Sequence, residues 1–307
     1  MNEPADRGKL YAPSTVRCLK ARHGLRIRKS LGQNFLVDKN VLDRIVEGAG
    51  VCDADIVLEI GSGLGVLTAA AAEKAFRVVA VETDRQLIPV LEETLAGCPN
   101  VRIVHADILK ADLRGMLEQN QDENGQKHIK VLGNLPYYIT SAIIMRFLEE
   151  GLPVKSLTFM MQKEVAERLR AEPGSTNYGA ISAAVRYYCE PHLVMNVPRE
   201  VFVPRPNVDS AVIRLDVREQ KPVSPVSEKM FFATIRAGFG QRRKTLLNAL
   251  TGTAGLSKDA VRLALAQAGV DPVRRAETLG LAEFAAIADA ICAAAQGLAG
   301  GATSTTG

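Results

Sequence analysis

The segment Asn134-Leu135-Pro136-Tyr137 combines residue types that suit chemistry on an amine. It follows the apolar run 129–132, which predicts a buried strand, so the segment lies at the carboxyl end of that strand. The amide oxygen of Asn134 and the carbonyl oxygen of Leu135 can accept two N–H bonds from one amino group. Pro136 fixes its own φ and restricts Leu135, and the ring of Tyr137 can stack on a flat base. An ordinary strand-end turn is the alternative for this composition.

Such an arrangement predicts alkyl transfer to an exocyclic amine of a base. The lone pair of that amine is delocalised into the ring, which makes the nitrogen a weak nucleophile. Two acceptors aimed at its hydrogens favour a pyramidal nitrogen with a free lone pair. Because the transfer depends mainly on positioning, no general base is required.

A glycine-rich turn further upstream predicts a nucleotide site. The apolar run 56–60 predicts a strand, residues 61–65 read Gly-Ser-Gly-Leu-Gly, and a helical pattern follows. A strand, a glycine turn and a helix form the first half of a nucleotide-binding βαβ unit. Gly61 and Gly63 would let a ligand approach the backbone. Val66 stands where the dinucleotide fingerprint needs its third glycine, so nicotinamide and flavin are disfavoured, and a P-loop is excluded because no Gly-Lys-Ser/Thr follows.

The next two predicted strands, 77–81 and 101–105, are each followed by a carboxylate. Glu82 lies 21 residues after Gly61, where an acidic residue can accept both hydroxyls of a ribose. Asp107 can accept a hydrogen bond from the amino group of an adenine ring. Each of the two alone could be a helix cap. Glycine or acidic turns at three successive strand ends, with the amide-containing turn at the fourth, predict one ligand crevice at the carboxyl edge of a parallel sheet.

Four motifs, in order, resemble those of the rRNA adenine N6,N6-dimethyltransferases, specifically the bacterial small-subunit (16S) group. The resemblance covers roughly residues 28 to 290 and rests on residues 31–36 (Leu-Gly-Gln-Asn-Phe-Leu), 59–68, 134–137 and 208–212. It implies a Rossmann-like class I methyltransferase sheet with S-adenosyl-L-methionine as the methyl donor. The implied reaction dimethylates two adjacent adenosines in the 3′-terminal hairpin of small-subunit rRNA during ribosome biogenesis.

The resemblance also implies a role for each site residue. The implied donor-binding residues are Asn34, Leu36, Gly61, Gly63, Glu82, Asp107 and Asn134. The implied catalytic set is Asn134, Leu135, Pro136, Tyr137 and Phe202, with the two aromatic rings enclosing the target adenine. For Phe202, a position in the hydrophobic core is the alternative. Two alternatives remain: a large-subunit rRNA dimethyltransferase of the macrolide-resistance type, and a non-catalytic RNA-binding factor on the same fold. Leu135 and the residues at 59–68 favour the small-subunit group, and the intact glycine turn and Asn134 favour an active enzyme.

Composition limits the partners. The chain of 307 residues suits one or two domains, and its net charge of +4 is compatible with nucleic acid without being diagnostic. The five scattered cysteines, without a Cys-x-x-Cys, indicate reduced thiols, and the four histidines show no metal-ligand spacing. No apolar stretch approaches a membrane span, and no signal peptide is recognisable. These features predict a cytoplasmic protein without a metal or a membrane partner. The resemblance implies rRNA in the small ribosomal subunit or its precursor as the partner, and we expect the protein to be a monomer.

Strands alternate with helices before a proline-containing linker at 218–227, which predicts an α/β domain with a parallel sheet. The strand 211–217 is expected to pair at a hairpin-like edge, and residues 118–127 are expected to form an inserted polar loop. The expected order is a flexible extension at 1–24, a donor-binding methyltransferase domain at 25–219, a helical RNA-binding domain at 226–296 and a disordered tail at 297–307.

The region after the linker shows only helical periodicity. Ser227 and Ser257 are expected N-caps there, and Pro272 is expected at the first position of a helix. Residues 241–245 are expected to open another helix.

Two basic segments are candidates for binding RNA phosphates. They comprise Arg26, Arg28 and Lys29 near the amino terminus, and Arg236, Arg242, Arg243 and Lys244 in the helical domain. Cations at a helix N-terminus oppose the macrodipole, and RNA binding explains that cost better than stability does. A solvated helix face is the alternative.

Overall fold

The computed structural model describes residues 10–25, 33–121, 127–135 and 139–301. The chain divides into two compact units. The first comprises Met1–Ala166 with Glu190–Val217, and the second comprises Glu167–Cys189 with Arg218–Gly307. Residues 167–189, which the sequence assigns to the first domain, thus group with the helices that follow residue 218.

The strands of the described residues are β1 (Phe35–Leu36), β2 (Asp55–Ile60), β3 (Arg77–Glu82), β4 (Val101–His105), β5 (His128–Asn134), β6 (Val154–Gln162), β7 (Cys189–Val197), β8 (Phe202–Val203) and β9 (Ser210–Val217). The α-helices are α1 (Pro13–Arg22), α2 (Lys39–Gly48), α3 (Val66–Ala72), α4 (Ile88–Thr94), α5 (Leu113–Glu118), α6 (Thr140–Glu149), α7 (Lys163–Arg170), α8 (Ala180–Tyr188), α9 (Glu228–Gly240), α10 (Leu246–Leu250), α11 (Lys258–Gln267) and α12 (Leu281–Gly301). Among these described helices, each is too short or too polar to span a membrane.

One large sheet organises the first unit. Its strand order is β4-β3-β2-β5-β6-β9-β7, and the first five of these strands pair in parallel. Every residue of β2 is buried, as expected of a strand that is covered on both faces. β1 and β8 pair separately as a short antiparallel ribbon. The α/β fold class is confirmed, and the four strands predicted from the sequence lie side by side.

β9 is not an edge strand, so the prediction of a hairpin-like edge at 211–217 is wrong. β9 lies between β6 and β7, and its residues from Ser210 to Ile213 are buried. The alternation that suggested a solvent-facing side comes from Arg214 and Asp216. Arg214 Nε donates to Asp216 Oδ1 at 2.7 Å and Arg214 Nη1 to the Gly48 carbonyl at 3.3 Å, so the two charges satisfy each other within the sheet.

Aromatic packing explains why α8 belongs to the second unit. The ring centroid of Tyr187 lies 5.1 Å from that of Phe231 and 5.3 Å from that of Phe232, both on α9. The Tyr187 hydroxyl also donates to Glu228 Oε1 at 2.5 Å. These interactions tie α8 to a helix some 40 residues later in the chain, a pairing that helical periodicity alone does not reveal.

The caps expected in the second unit are present. The side chains of Ser227 and Ser257 accept hydrogen bonds from the backbone at the starts of α9 and α11. The expected helix start at Pro272 is wrong, because this residue lies in a turn. The expected helix start at 241–245 is also wrong, because α10 begins at Leu246, after the basic residues.

Candidate active site

A cavity of about 140 Å³ lies at the carboxyl edge of the parallel strands in the first unit. Residues that end or follow β2, β3, β4 and β5 line it, as the crevice predicted from the sequence requires. All seven predicted donor-binding residues contribute to this lining: Asn34, Leu36, Gly61, Gly63, Glu82, Asp107 and Asn134. The structure therefore brings these residues together, and the role of each one stays a prediction.

The glycine turn after β2 exposes its backbone to the cavity. Gly61 and Gly63 adopt φ values of +74° and +59°, which side chains rarely tolerate. The Gly61 N–H donates to the Val81 carbonyl at 2.8 Å, which fixes the turn against β3. A Cβ added at Gly61 would meet no atom closer than the Asn134 carbonyl oxygen, at 3.9 Å. The space beside this backbone is therefore open to a ligand.

Glu82 links the end of β3 to the glycine turn. Its side chain is only 5% exposed, with Oε2 accepting from the Gly63 N–H at 2.9 Å and Oε1 from the Asp84 N–H at 2.8 Å. Burial raises the pKa of Glu82, and the backbone bonds from Asp84 and Gly63 oppose that rise. Each carboxylate oxygen has a second acceptor position. Glu82 can therefore accept hydrogen bonds from the hydroxyls of a ligand while it continues to hold the glycine turn through the Gly63 N–H.

Glu59 is a second buried carboxyl group in the cavity wall, and the sequence interpretation did not count it among the site residues. It is 2% exposed, and the Thr68 hydroxyl donates to its Oε2. Burial raises the pKa of Glu59 to about 8, the Thr68 bond opposes the rise, and the nearby charge of Glu82 adds to it. The signal in the sequence was a lone acidic residue within an apolar strand.

A backbone carbonyl of the same chain fixes the side-chain amide of Asn134. The Asn134 Nδ2 donates to the Asn34 carbonyl at 2.9 Å, which turns the amide so that its oxygen points away from that carbonyl. Gly133 makes this placement possible, because a Cβ there would lie 2.7 Å from the Ile60 carbonyl oxygen. β5 can thus run close beside the end of β2. Leu135 donates its N–H to the Met160 carbonyl at 3.1 Å and is buried outside the cavity lining.

The remaining predicted site residues have mixed placements. Asp107 lines the cavity with a 43% exposed side chain, and its Oδ1 accepts from the Leu109 N–H at 3.0 Å. Phe202 is 3% exposed within the hydrophobic core and does not line the cavity. It pairs with Leu36 across the β1–β8 ribbon. Pro136 and Tyr137 lie outside the described residues, so the adenine sandwich stays a prediction.

The basic residues of the second unit differ in their partners. Arg236, Arg243 and Lys244 are exposed. Arg242 is exposed as well, but its Nε lies 3.1 Å from Glu277 Oε2 and its Nη2 donates to the Thr176 carbonyl. Arg26, Arg28 and Lys29 lie outside the described residues. Within the described ranges, no group of three or more His, Cys, Asp or Glu side chains is arranged to hold a metal ion.

Comparison with known proteins gives consistent matches. The sequence model of the family described as Ribosomal RNA adenine dimethylase matches residues 24–292. Ribosomal RNA small subunit methyltransferase A of Alkaliphilus oremlandii is 47% identical over 282 residues, which cover 92% of this chain and 97% of that protein. The protein of the same name from Shouchella clausii is 50% identical over 284 residues, with coverages of 92% and 95%.

Two solved structures are similar to this chain at lower sequence identity. A dimethyladenosine transferase from Plasmodium falciparum superposes with a TM-score of 0.70 at 25% identity, covering 82% of this chain and 95% of that one. The 23S rRNA methyltransferase ErmE gives a TM-score of 0.62 at 26% identity, with coverages of 84% and 100%. The range matched by the family includes the glycine turn, both acidic strand ends and residues 134–137.

Proposed function

Because the chain belongs to the ribosomal RNA adenine dimethylase family, we propose that it dimethylates N6 of two adjacent adenosines in the 3′-terminal hairpin of small-subunit (16S) rRNA. As a member of this family it is a methyltransferase that uses S-adenosyl-L-methionine. The observation that carries the proposal is the placement of Asn134, whose amide lines the same cavity as the glycine turn and Glu82. A donor and a target amine can therefore meet at one strand edge.

The cavity residues fit the donor. Backbone at Gly61 is open to the amino-acid part of the donor, Glu82 offers acceptors to the ribose hydroxyls, and Asp107 can accept the adenine amine. Apolar side chains such as Leu36 and Ile108 complete the walls and exclude water. When bound, S-adenosyl-L-methionine supplies an electrophilic methyl group on a sulfonium.

The chain positions the target amine. The Asn34 carbonyl holds the nitrogen of the Asn134 amide, so the amide oxygen is oriented to accept an N–H bond from the adenine. We infer that this bond and a second one to the Leu135 carbonyl favour the pyramidal amine. The amine sheds its proton after attack, so no base need act first. Positioning of this kind is worth several kcal/mol in well-oriented reactions, on the order of 7–11 at its upper limit.

The small-subunit assignment has support over both alternatives. Identity to the small-subunit methyltransferases is 47–50% over nearly the whole chain, against 26% to ErmE. A non-catalytic factor would not need an open glycine turn or a positioned Asn134, and the chain has both. We also propose a monomer, because one unit of one chain supplies every donor-binding residue. A cytoplasmic location follows from the proposed substrate.

The test is methyl transfer from labelled donor into isolated ribosomal subunits that lack the modification. We expect label in small-subunit RNA, identified as N6,N6-dimethyladenosine at two adjacent positions by mass spectrometry of nuclease fragments. Label in large-subunit RNA instead would support the macrolide-resistance alternative. Donor binding in calorimetry without transfer to either subunit would support the non-catalytic alternative.

A further inference from the structure

An open groove of about 480 Å³ lies at the opposite edge of the sheet from the donor cavity. Its walls come from the amino ends of β3 and β4, with Phe76 and Arg77 on one side and Asn100 and Arg102 on the other, and from Asn120 after α5. We call this feature the basal groove. It belongs entirely to the first unit, and no residue of the donor cavity contributes to it.

Phe76 organises the cations at this groove. The guanidinium carbon of Arg77 lies 5.5 Å from the Phe76 ring centroid, and Lys127 Nζ lies 4.6 Å from the same centroid. Arg77 Nη1 donates to the Asn120 carbonyl and Lys127 Nζ to the Asp53 carbonyl, each at 3.1 Å. A ring quadrupole and backbone carbonyls thus fix the two cations in place.

In the part of the chain that the structure describes, the partners of these cations are neutral groups. Within the described part of the chain, Arg77, Arg102 and Lys127 make no ion pair with a carboxylate. Arg102 is exposed, and Phe76 is 37% exposed despite its large apolar ring. Neutral partners position a cation without reducing its attraction for an anion. The basal groove therefore presents Arg77 and Arg102 beside an exposed aromatic side chain, and Lys127 lies against the ring of that side chain.

We propose that the basal groove binds backbone phosphates of the rRNA substrate, as a second docking point remote from the target adenine. This inference rests on the proposed function. Spaced Arg and Lys side chains beside an aromatic ring and amide groups are the chemistry that recognises nucleic-acid backbones. β3 has six residues, so the groove lies about 20 Å from the donor edge. RNA that contacts both edges must extend at least that far from the target.

Substitutions that remove charge but leave the donor site intact test the proposal. Arg102→Gln/Lys127→Gln is expected to weaken binding to intact small subunits by roughly threefold to tenfold, and to flatten the log–log salt dependence by about 0.7–0.9 for each phosphate that is no longer bound. Arg44→Gln is the matched control, because Arg44 is an exposed cation on α2 away from the groove. Arg102→Lys keeps the charge and should retain wild-type affinity. Donor affinity should remain unchanged in all three variants.

RNA length provides the second readout. Methyl transfer to a short RNA that contains only the target loop should be equal in the groove variant and the wild type, because this RNA does not reach the groove. Wild-type affinity and salt slope for subunits in the double variant would overturn the proposal, as would an equal loss of affinity in Arg44→Gln. A loss of affinity with an unchanged salt slope would identify a protein partner at the groove and would also overturn it. Absence of methyl transfer to isolated small subunits by the wild-type enzyme would instead refute the proposed function.

Discussion

Asn134 is the residue on which methyl transfer is expected to depend most. Its amide nitrogen is held by the Asn34 carbonyl, which leaves the amide oxygen to orient the target amine. We predict that Asn134→Ala lowers methyl transfer to subunits about 100-fold or more, since loss of reacting geometry alone can cost that much. Thermal unfolding should stay near wild type because the amide is partly exposed. Near wild-type incorporation by the folded variant would contradict the role assigned to Asn134.

Glu82 is expected to determine donor affinity. It accepts two backbone N–H bonds from the folded chain and still has acceptor positions toward the cavity. We predict that Glu82→Ala weakens donor binding by about 1.5–3 kcal/mol, the range for hydrogen bonds to a charged group. Calorimetric titration with the donor measures this loss of binding free energy. The substitution also leaves the Gly63 and Asp84 donors without this acceptor, so the titration must be done on protein shown to be folded. An unchanged dissociation constant would leave Glu82 with only its capping role.

Glu59 makes stability depend on pH. Burial raises the pKa of its carboxyl from 4.5 to about 8, so the folded state binds a proton that the unfolded state releases above pH 4.5. The stability that the neutral carboxyl contributes is therefore present at low pH and is lost as pH rises toward 8. We predict that Glu59→Gln, which is neutral at every pH, gains stability relative to wild type between about pH 5 and pH 9. The measurement is the melting temperature of the ligand-free wild type and of Glu59→Gln across this pH range. A difference between the two proteins that does not change with pH would mean that Glu59 is not buried as a neutral group.

At the scale of elements, the sequence predicted the four strands whose ends carry chemistry and also β9, which it placed at an edge, but it did not predict β6 or β7. β2 to β5 each lead into a glycine, acidic or amide turn, so composition and spacing identified them together. β6, β7 and the β1–β8 ribbon carry no such turn. The placement of β9 inside the sheet depends on pairing with β6, a long-range interaction that local alternation does not encode. The burial of Phe202 likewise depends on long-range packing, so the sequence motif around it does not reveal that its ring is buried.

The close approach of β5 to β2 depends on Gly133. A Cβ at this position would lie 2.7 Å from the Ile60 carbonyl oxygen and 3.0 Å from Leu135 Cδ2. We predict that Gly133→Ala lowers the free energy of unfolding by about 1–3 kcal/mol, the usual cost of overpacking, and shifts Asn134 enough to reduce turnover. Gly179→Ala is the matched control, because Gly179 is extended and a Cβ there would meet nothing within 4 Å. Equal unfolding midpoints for the two variants in denaturant would show that the strands accommodate the methyl group.

At the scale of the whole molecule, the two units contain different functional residues. The first unit contains every predicted donor-binding residue and the basal groove. The second contains the predicted basic cluster, with Arg236 on α9 and Arg242, Arg243 and Lys244 in the turn between α9 and α10. Because these cations do not open a helix, no helix macrodipole opposes them, and their proposed binding to RNA depends on their exposure and charge. Arg242 differs from its neighbours because it bonds to Glu277 and to the Thr176 carbonyl, which gives it a structural role.

Because Arg242 has partners within the protein, substituting it should have a different effect from substituting the other cations of the cluster. We predict that Arg236→Gln/Arg243→Gln/Lys244→Gln weakens binding to small subunits and lowers the log–log salt slope by about 0.7–0.9 for each phosphate that the variant fails to bind. Donor affinity and melting temperature should not change, because the three side chains are exposed and the donor site lies in the other unit. Arg242→Gln is the informative comparison, since loss of its bonds within the second unit should lower the melting temperature. A triple variant with the affinity and salt slope of the wild type would mean that these cations are only a solvated surface.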